Sequence, residues 1–445
     1  MVFQKYPSYR DTQTAWLGEI PQHWTKKPLW ALFRRTKRTG YSDERLLSVY
    51  RDYGVIPKDS RDDNNNKPSE DLSPYQLVQP GDLVINKMKA WQGSVAVSQH
   101  KGIVSPAYFV FESLHNEDPK YLHYLLRSVR YITGYMTVSK GIRVNQWDLD
   151  PQYHATMPVL IPPIDEQTGI AKFLDRETAK IDDLVAEQER LIALLKEKRQ
   201  AVISHAVTKG LKPDVPKKSS GFEWLGDVPE HWSISSIRRV LLGIEQGWSP
   251  VAENRQADSS EWGVIKTSAV KLGQFFEDEH KALLPEIIPK ASLEICENDV
   301  LMLRGNGSVE LVGAAALVPP VRPLLMLSDL VYRLRFDQEV ILPKFITYTL
   351  ISLQSRYQIQ GLSRGIDIRK IAQDSIKEII VVFPYKEEQA EIVSYLDQQT
   401  HSIDQLIGQS FEAINLLKER RSALISAAVT GKINVRGLVD TEEAA

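Results

Sequence analysis

The sequence predicts an α+β fold: two mixed α/β modules joined by two long antiparallel helices that pair as a coiled coil, the whole a pseudo-twofold internal repeat. Three observations predict it. "LLKEKRQAVISHAVTKG" at Leu194 returns as "LLKERRSALISAAVTGK" at Leu416, 222 residues later. Gln167–Thr208 and Gln389–Thr430 share 20 identities in 42 positions without a gap. "WLGEIPQHW" at Trp16 returns as "WLGDVPEHW" at Trp224, an offset of 208. Internal self-similarity sets architecture before any local signal does. Here it gives opening motif, variable region and long helix, then the same again. The chain divides into 1–162 (first module), 163–211 (first long helix), 212–384 (linker and second module), 385–435 (second long helix) and a tail, 436–445. The offset grows by 14, so the second variable region is the longer.

The opening motifs carry Trp16, His23 and Trp24, matched by Trp224, His231 and Trp232. Both copies keep them while the surfaces between diverge, which suits anchors of module to scaffold better than a ligand role. Within the modules, "GDLVIN" at Gly81 and "NDVLML" at Asn298 read as short strands. Each is followed by a glycine-bearing turn and another strand, "GSVAV" and "VGAAALV". "KYLHYLLRSV" and "KFITYTLISL" read as amphipathic helices. "PKDSRDDNNNKPSEDLSP" (57–74) is a surface loop by its Pro, Asp and Asn content. The single cysteine, Cys296, lies in "LEICENDVLML" and reads as a buried small apolar residue.

The helices follow Pro162-Pro163 and Pro384 and run without proline to Thr208 and Thr430. A 3-4 alternation places 181, 184, 188, 191, 195, 198, 202 and 205 on the seam, with 403, 406, 410, 413, 417, 420, 424 and 427 as counterparts. Roughly 40 residues at about 1.5 Å each make a rod of about 60 Å. Such a rod needs a packed face, so the two pair with one another. Gln188/Ser410 and Lys198/Arg420 are polar pairs on this seam; the long basic stems snorkel from its edge or help set register. Leu194 and Leu416 fall off the seam. Either they pack against the chain's own modules or they form two equivalent faces for partner helices.

Composition bounds the function. The 445 residues are 42% hydrophobic and 25% charged, with net charge −2. That length exceeds one ordinary core. Residues 1–222 carry 32 Lys+Arg against 26 Asp+Glu, and residues 223–445 carry 23 against 31. Neither half has a basic excess that advertises nucleic acid, so DNA binding must come from local placement of cations. The first module offers Lys87, Lys89 and Gln92 after its strand, then Lys140, Arg143, Asn145 and Gln146. The second offers Arg304 and Asn306, then Arg364, Arg369 and Lys370. Arg and Lys suit guanine edges or phosphates, and Asn and Gln suit adenine edges. Exposed hairpin turns also carry such residues without any ligand. No P-loop, no amino-methyltransferase [DN]-P-P-[YF], no dinucleotide fingerprint and no metal-ligand spacing is visible. No apolar run is long enough for a membrane span and no apolar leader opens the chain, so a cytoplasmic location is expected.

The doubled "WLG-[ED]-[IV]-P-x-H-W", the "GDLVIN"-type strand, the Glu166-Gln167 and Glu388-Gln389 helix starts and the doubled "LLKE-[KR]-R…AVT" endings resemble the specificity subunit of type I restriction–modification systems. The resemblance spans essentially the whole chain. It implies two target recognition domains, each reading one half of a split, asymmetric double-stranded DNA target. It implies spacer helices that dock two modification subunits, which bring S-adenosylmethionine and methylate adenine. Two restriction subunits, using ATP and Mg, would join for cleavage, and this chain would bind no cofactor and catalyse nothing. Candidate docking residues are Leu194 and Leu416. The alternative is a repeated coiled-coil scaffold that binds protein only.

Overall fold

A computed structural model describes residues 3–51, 53–61, 68–141, 147–365 and 368–438. It divides into two compact units: Met1–Gln188 with Phe411–Ala445, and Glu189–Ser410. Each unit therefore holds one module and a portion of each long helix.

In the first unit, β1 (Thr25–Pro28), β2 (Phe33–Thr36), β3 (Leu83–Asn86), β4 (Val95–Val97) and β5 (Tyr108–Ser113) precede α1 (Pro119–Arg127) and α2 (Val129–Thr137). Then come β6 (Ser139–Lys140), β7 (Asp148–Leu149), α3 (Pro151–Ala155), β8 (Pro158–Ile161) and α4 (Ile164–Lys209). The central sheet is antiparallel, in the order β2-β5-β3-β4. β3 shows why "GDLVIN" reads as a continuous apolar run: side chains alternate between two buried faces. Leu83 and Ile85 join α1 and Trp24 in one cluster, while Val84 joins Val49, Val55, Ala96 and Val110 in another.

The second unit repeats the plan. β9 (Ser233–Ser236) pairs with a late strand, and β10 (Leu241–Gln246), β11 (Ala252–Glu253), β12 (Gly263–Ile265) and β13 (His280–Leu283) follow. β14 (Val300–Leu303), β15 (Gly305–Asn306), β16 (Ala315–Leu317), β17 (Leu325–Met326) and β18 (Val331–Phe336) complete the body. α5 (Pro343–Ile351), α6 (Leu353–Leu362), β19 (Arg369–Lys370), α7 (Gln373–Glu378) and β20 (Ile380–Phe383) lead into α8 (Lys386–Val429). The sheet β10-β18-β14-β16 matches that of the first unit, and a second sheet, β11-β13-β12-β17, flanks it. β14 is again buried on both faces, Val300 and Met302 on one and Leu301 and Leu303 on the other.

The same turn launches β3 and β14. Asp82 accepts the Gln79 amide at 2.7 Å, and Asp299 accepts the Cys296 amide at 2.9 Å. Each buried carboxylate also pairs with arginine, Asp82 with Arg38 and Asp299 with Arg333. This corrects the reading of Cys296. The turn directs Ile295 into the core and leaves the Cys296 thiol exposed, because its backbone, not its side chain, meets the carboxylate. A second correction concerns α5. α1 is amphipathic, burying Tyr121, Leu122, Leu125 and Leu126, but α5 is buried at every position from Phe345 to Ile351. Its outer side is covered by α4 within this unit. There Gln200 Nε2 donates to the Ile351 carbonyl (2.7 Å), and Ser204 Oγ accepts the Leu353 amide (2.9 Å).

The long helices run antiparallel in each unit. Arg421 and Asp182 pair at 2.8 Å in the first unit, and Arg199 and Asp404 at 3.1 Å in the second. These four residues are two copies of one contact under the 222-residue repeat. The seam is displaced from the expected one. Its buried or half-buried positions are 181, 185, 188, 192, 195 and 199, repeated as 403, 407, 410, 414, 417 and 421. Leu184, Leu191 and Lys198 are exposed, as are Leu406 and Arg420, while Ala413 is half-buried. Gln188 and Ser410 do face the seam. The basic pair on it is Arg199/Arg421 rather than Lys198/Arg420, each guanidinium held by an aspartate of the facing helix.

The anchors are where the two copies agree most closely. Glu166, in the first turn of α4, accepts from Trp24 Nε1 (3.0 Å) and from the Tyr6 hydroxyl, and meets His23 Nε2 at 2.8 Å. Glu388, in the first turn of α8, accepts from Trp232 Nε1 (3.2 Å) and meets His231 Nε2 at 2.7 Å. Gln167 and Gln389 bridge to the carbonyls of Pro162 and Pro384 at 2.9 Å. Trp24 with His23, and Trp232 with His231, thus lock each module to a helix start, while Trp16 packs on Tyr131 and Trp224 on Phe222 and Tyr357. The end of a long helix closes the same core: Ala428 and Val429 pack beside Trp24, and Ala206 and Val207 beside Trp232. Gly431, at φ +70°, caps α8 where a Cβ would fall 2.3 Å from Pro21 Cδ, so the opening motif fits only over glycine.

Candidate nucleic-acid interface

In the first unit the chain leaves β3 at Lys87 and turns through Lys89 and Gln92. Gly93 takes φ +93° there, and a Cβ would lie 2.8 Å from Ile132 Cδ1. The Lys87 carbonyl accepts the Leu149 amide at 3.0 Å. This ties the turn to the two-stranded ribbon β6–β7, in which Lys140 pairs with Asp148. Lys87 and Lys140 consequently line one cleft, with Phe109, Asp148, Asp150 and Gln152. The Lys140 ammonium is partly neutralised, 3.6 Å from Asp150 and 4.6 Å above the Tyr153 ring. Beside them Trp91 and Trp147 stack obliquely, with centroids 4.9 Å apart. Arg143, Asn145 and Gln146 lie outside the described residues.

The second unit gathers its candidates more tightly. Arg304 follows β14, and its carbonyl accepts the Ile371 amide at 2.8 Å, the counterpart of the Lys87–Leu149 bond. β15 pairs with β19, placing Gly305 opposite Lys370 and Asn306 opposite Arg369. Arg364 and Lys370 exchange backbone bonds of 2.9 and 2.8 Å. Gly305 permits the approach, since a Cβ there would sit 2.8 Å from Lys370 Cγ and 3.0 Å from the Arg369 carbonyl. Residues more than 50 positions apart in sequence, Arg304 and Asn306 against Arg364, Arg369 and Lys370, thus share one small ribbon. Among the described residues, Lys87, Lys89, Arg304, Arg364, Arg369 and Lys370 form no ion pair. Their charge is available to an anionic ligand.

Each unit also holds nitrogen bases or cations away from open water. In the first unit His154 is wholly buried against Phe111 and Tyr135, and burial alone pushes its pKa down to about 3. His123 is lowered to about 4, by burial first and then by the neighbouring Arg127 guanidinium. In the second unit burial pulls Arg356 down to about 10; its Nη2 donates to the Glu310 carbonyl at 2.9 Å. His154 and Arg356 are buried, and His123 is half-buried.

Sequence reasoning missed Arg35, whose guanidinium lies 4.1 Å over Phe109 at the edge of the first cleft. The run "FRRTKR" at Phe33 was its signal. It also missed Trp147 as the partner of Trp91. On the helices, Leu194 and Leu416 are 53% and 65% exposed, so neither packs against a module. Each lies about 140° round its helix from the seam centre at about 100° per residue.

Two units of one plan, with matching anchors and chemically different cationic ribbons, define a duplicated α+β protein that carries two cationic modules on a pair of long helices. A family profile described as the type I restriction modification DNA specificity domain matches residues 21–193 and 288–416. The chain belongs to this family of type I restriction–modification specificity subunits. It is similar to the type I restriction enzyme StySPI specificity subunit of Salmonella potsdam, 22% identical over 94% of this chain and 91% of that one. Its similarity to the EcoKI specificity subunit of Escherichia coli K12 is also 22%, with the same coverage. Among solved structures, a chain from work on complex assembly and conformational transition of the type I R-M system shares the fold. Its TM-score is 0.67 at 16% identity, over 93% of this chain and 99% of that one. Among the described residues no helix is long and apolar enough to cross a membrane, and no group of His, Cys, Asp and Glu is placed to hold a metal.

Proposed function

We propose that the chain is the non-catalytic DNA-recognition subunit of its complex and reads a bipartite, asymmetric double-stranded target, one half-site per module. The observation that carries this reading is the contrast between anchors and ribbons. The Trp–His–Glu anchors are the same in both units. The ribbons are not: one presents lysines beside a tryptophan pair, the other three arginines, a lysine and an asparagine. A protein selected to hold two different sequences in one frame diverges in this way. Arginine is suited to guanine O6 and N7, and asparagine to adenine N6 and N7. The lysines serve phosphates as point charges.

In this reading the exposed leucine faces of α4 and α8, centred on Leu194 and Leu416, dock two modification subunits, and two restriction subunits join the assembly. S-adenosylmethionine belongs to the modification subunits, and ATP and Mg to the restriction subunits. The work of this chain is to orient them on DNA in the cytoplasm.

The test is a module exchange. Replacing residues 25–160 by the equivalent module of another family member should change the first half-site of the methylated-adenine motif entirely. The second half-site and the gap should stay as they were. A chimera that altered both half-sites, or the gap, would refute independent reading. Loss of DNA binding with protein assembly intact in every ribbon variant is expected; unchanged DNA binding in all of them would favour the protein-only scaffold.

A further inference from the structure

We infer that a second cleft of the second unit, at the end of the flanking sheet β11-β13-β12-β17, is a seat for a DNA-backbone phosphate. The inference rests on the DNA-reading role proposed for this module. The cleft is lined by Lys266, Lys281, Ser249, Thr267, Ser328 and Leu330, among others.

Strand register puts these groups together. Val264 lies opposite Lys281 across β12–β13 and beside Met326 of β17. Residues directly opposite share a face, and so does each residue two further on. Lys266 and Ser328, two beyond Val264 and Met326, therefore stand on the face that carries Lys281. The lower part of that face is apolar, built of Val264, Leu283 and Met326, and only its upper end is polar.

Two features point to an anion. First, Ser328 is 5% exposed, yet its Oγ has no hydrogen-bond partner. A buried hydroxyl left unmatched is unfavourable unless a ligand completes it. Second, one cation of the cleft has no counter-ion. Glu279 lies 3.6 Å from Lys266, and Asp329 is engaged by Ser249 Oγ at 2.6 Å, while Lys281 has no ion-pair partner among the described residues. An ammonium and a hydroxyl donor converging on one cleft suit a phosphate oxygen, which accepts from both. Its position makes the source a phosphodiester. Leu330, in the cleft wall, accepts the Arg304 amide at 2.8 Å, so the cleft adjoins the ribbon of Arg304, Asn306 and Arg369. The ribbon reads bases while the lysine cleft holds the strand in register beside it.

The experiment compares Lys281→Gln, Ser328→Ala and, as a control on the ribbon, Arg369→Ala, in the full-length chain with its modification subunits. Binding to target and to random-sequence DNA is measured over a range of salt. Lys281→Gln should weaken both by the same factor and flatten the salt slope by about 0.9. Ser328→Ala should weaken both without changing the slope and without lowering the thermal midpoint, since its hydroxyl has no protein partner. If Arg369→Ala loses target binding while Lys281→Gln and Ser328→Ala bind like the wild type, the phosphate seat is refuted and the ribbon reading stands. If all three bind like the wild type, the DNA role of this module fails as well. If millimolar inorganic phosphate raises the thermal midpoint of the wild type but not of Lys281→Gln, and DNA affinity is unchanged by either substitution, the cleft holds a free phosphate ion and the inference is overturned.

Discussion

Removing the carboxylate of Glu166 should cost the first unit far more than the matching change costs the second. The Glu166 side chain is 5% exposed and satisfies Trp24 Nε1 and the Tyr6 hydroxyl, with His23 alongside. The Tyr6 hydroxyl is held far above its ordinary pKa, by burial first and then by that carboxylate, so it stays a neutral donor. Glu166→Ala leaves two buried donors without an acceptor. At about 1–3 kcal/mol for each orphaned group, the loss is roughly 2–6 kcal/mol. Glu388 is 30% exposed and has no tyrosine partner, so its loss orphans one donor, Trp232 Nε1, rather than two. Glu388→Ala should therefore cost about 1 kcal/mol. For a unit of roughly 200 residues, each kcal/mol lowers the thermal midpoint by about 2–4 °C. Thermal unfolding of the full chain should accordingly show Glu166→Ala melting several degrees below Glu388→Ala. Glu166→Gln, which keeps one acceptor oxygen, should lie between. Equal shifts from the two alanine variants, or a shift under about 2 °C from Glu166→Ala, would refute the argument that burial of the carboxylate sets its importance.

Three further outcomes are expected. Leu194→Asp with Leu416→Asp should leave the chain folded, because both side chains are exposed, and should abolish co-purification with modification subunits; an unchanged complex refutes the docking face. Asp182→Arg and Arg421→Asp should each destabilise the helix pair by about 0.2–1 kcal/mol, and the double variant should recover most of it; a double-variant midpoint equal to the sum of the single losses refutes the pairing. His154, buried, and His123, half-buried, are held neutral, with pKa values of about 3 and about 4 in the folded chain against an ordinary 6.5. Protons then bind the unfolded chain first, so stability is full above pH 6.5 and declines as pH falls from 6.5 toward 3; His154→Phe should shallow that decline in a series of thermal midpoints, and an unaltered profile refutes the assignment.

The repeat, the long helices, the strand pairs of the two modules and the anchoring part of the opening motifs were legible in the sequence. Each depends on short-range periodicity or on direct self-comparison. The phase of the helix seam was not. Leu184 and Leu191 are as apolar as Val185 and Ile192, and the two sets lie on adjoining faces of one helix. Only the facing helix decides which is covered, and it covers 185, 192 and 199. Arg199 and Arg421 belong to that seam because Asp404 and Asp182 stand opposite them, a pairing invisible to a local window. Cys296 sits in an apolar run, yet the Asp299 turn rotates it outward. The helix α5 shows the same limit, since α4 residues more than 140 positions earlier bury its outer side. The candidate interface divides likewise. Cations beside glycines were readable one by one, but their convergence was not. Arg304 reaches Arg369 through strand pairing, and Lys266 reaches Ser328 through a parallel neighbour. Residue chemistry is local and written in the sequence; which residues share a surface depends on long-range closure of the chain, which tertiary packing alone decides.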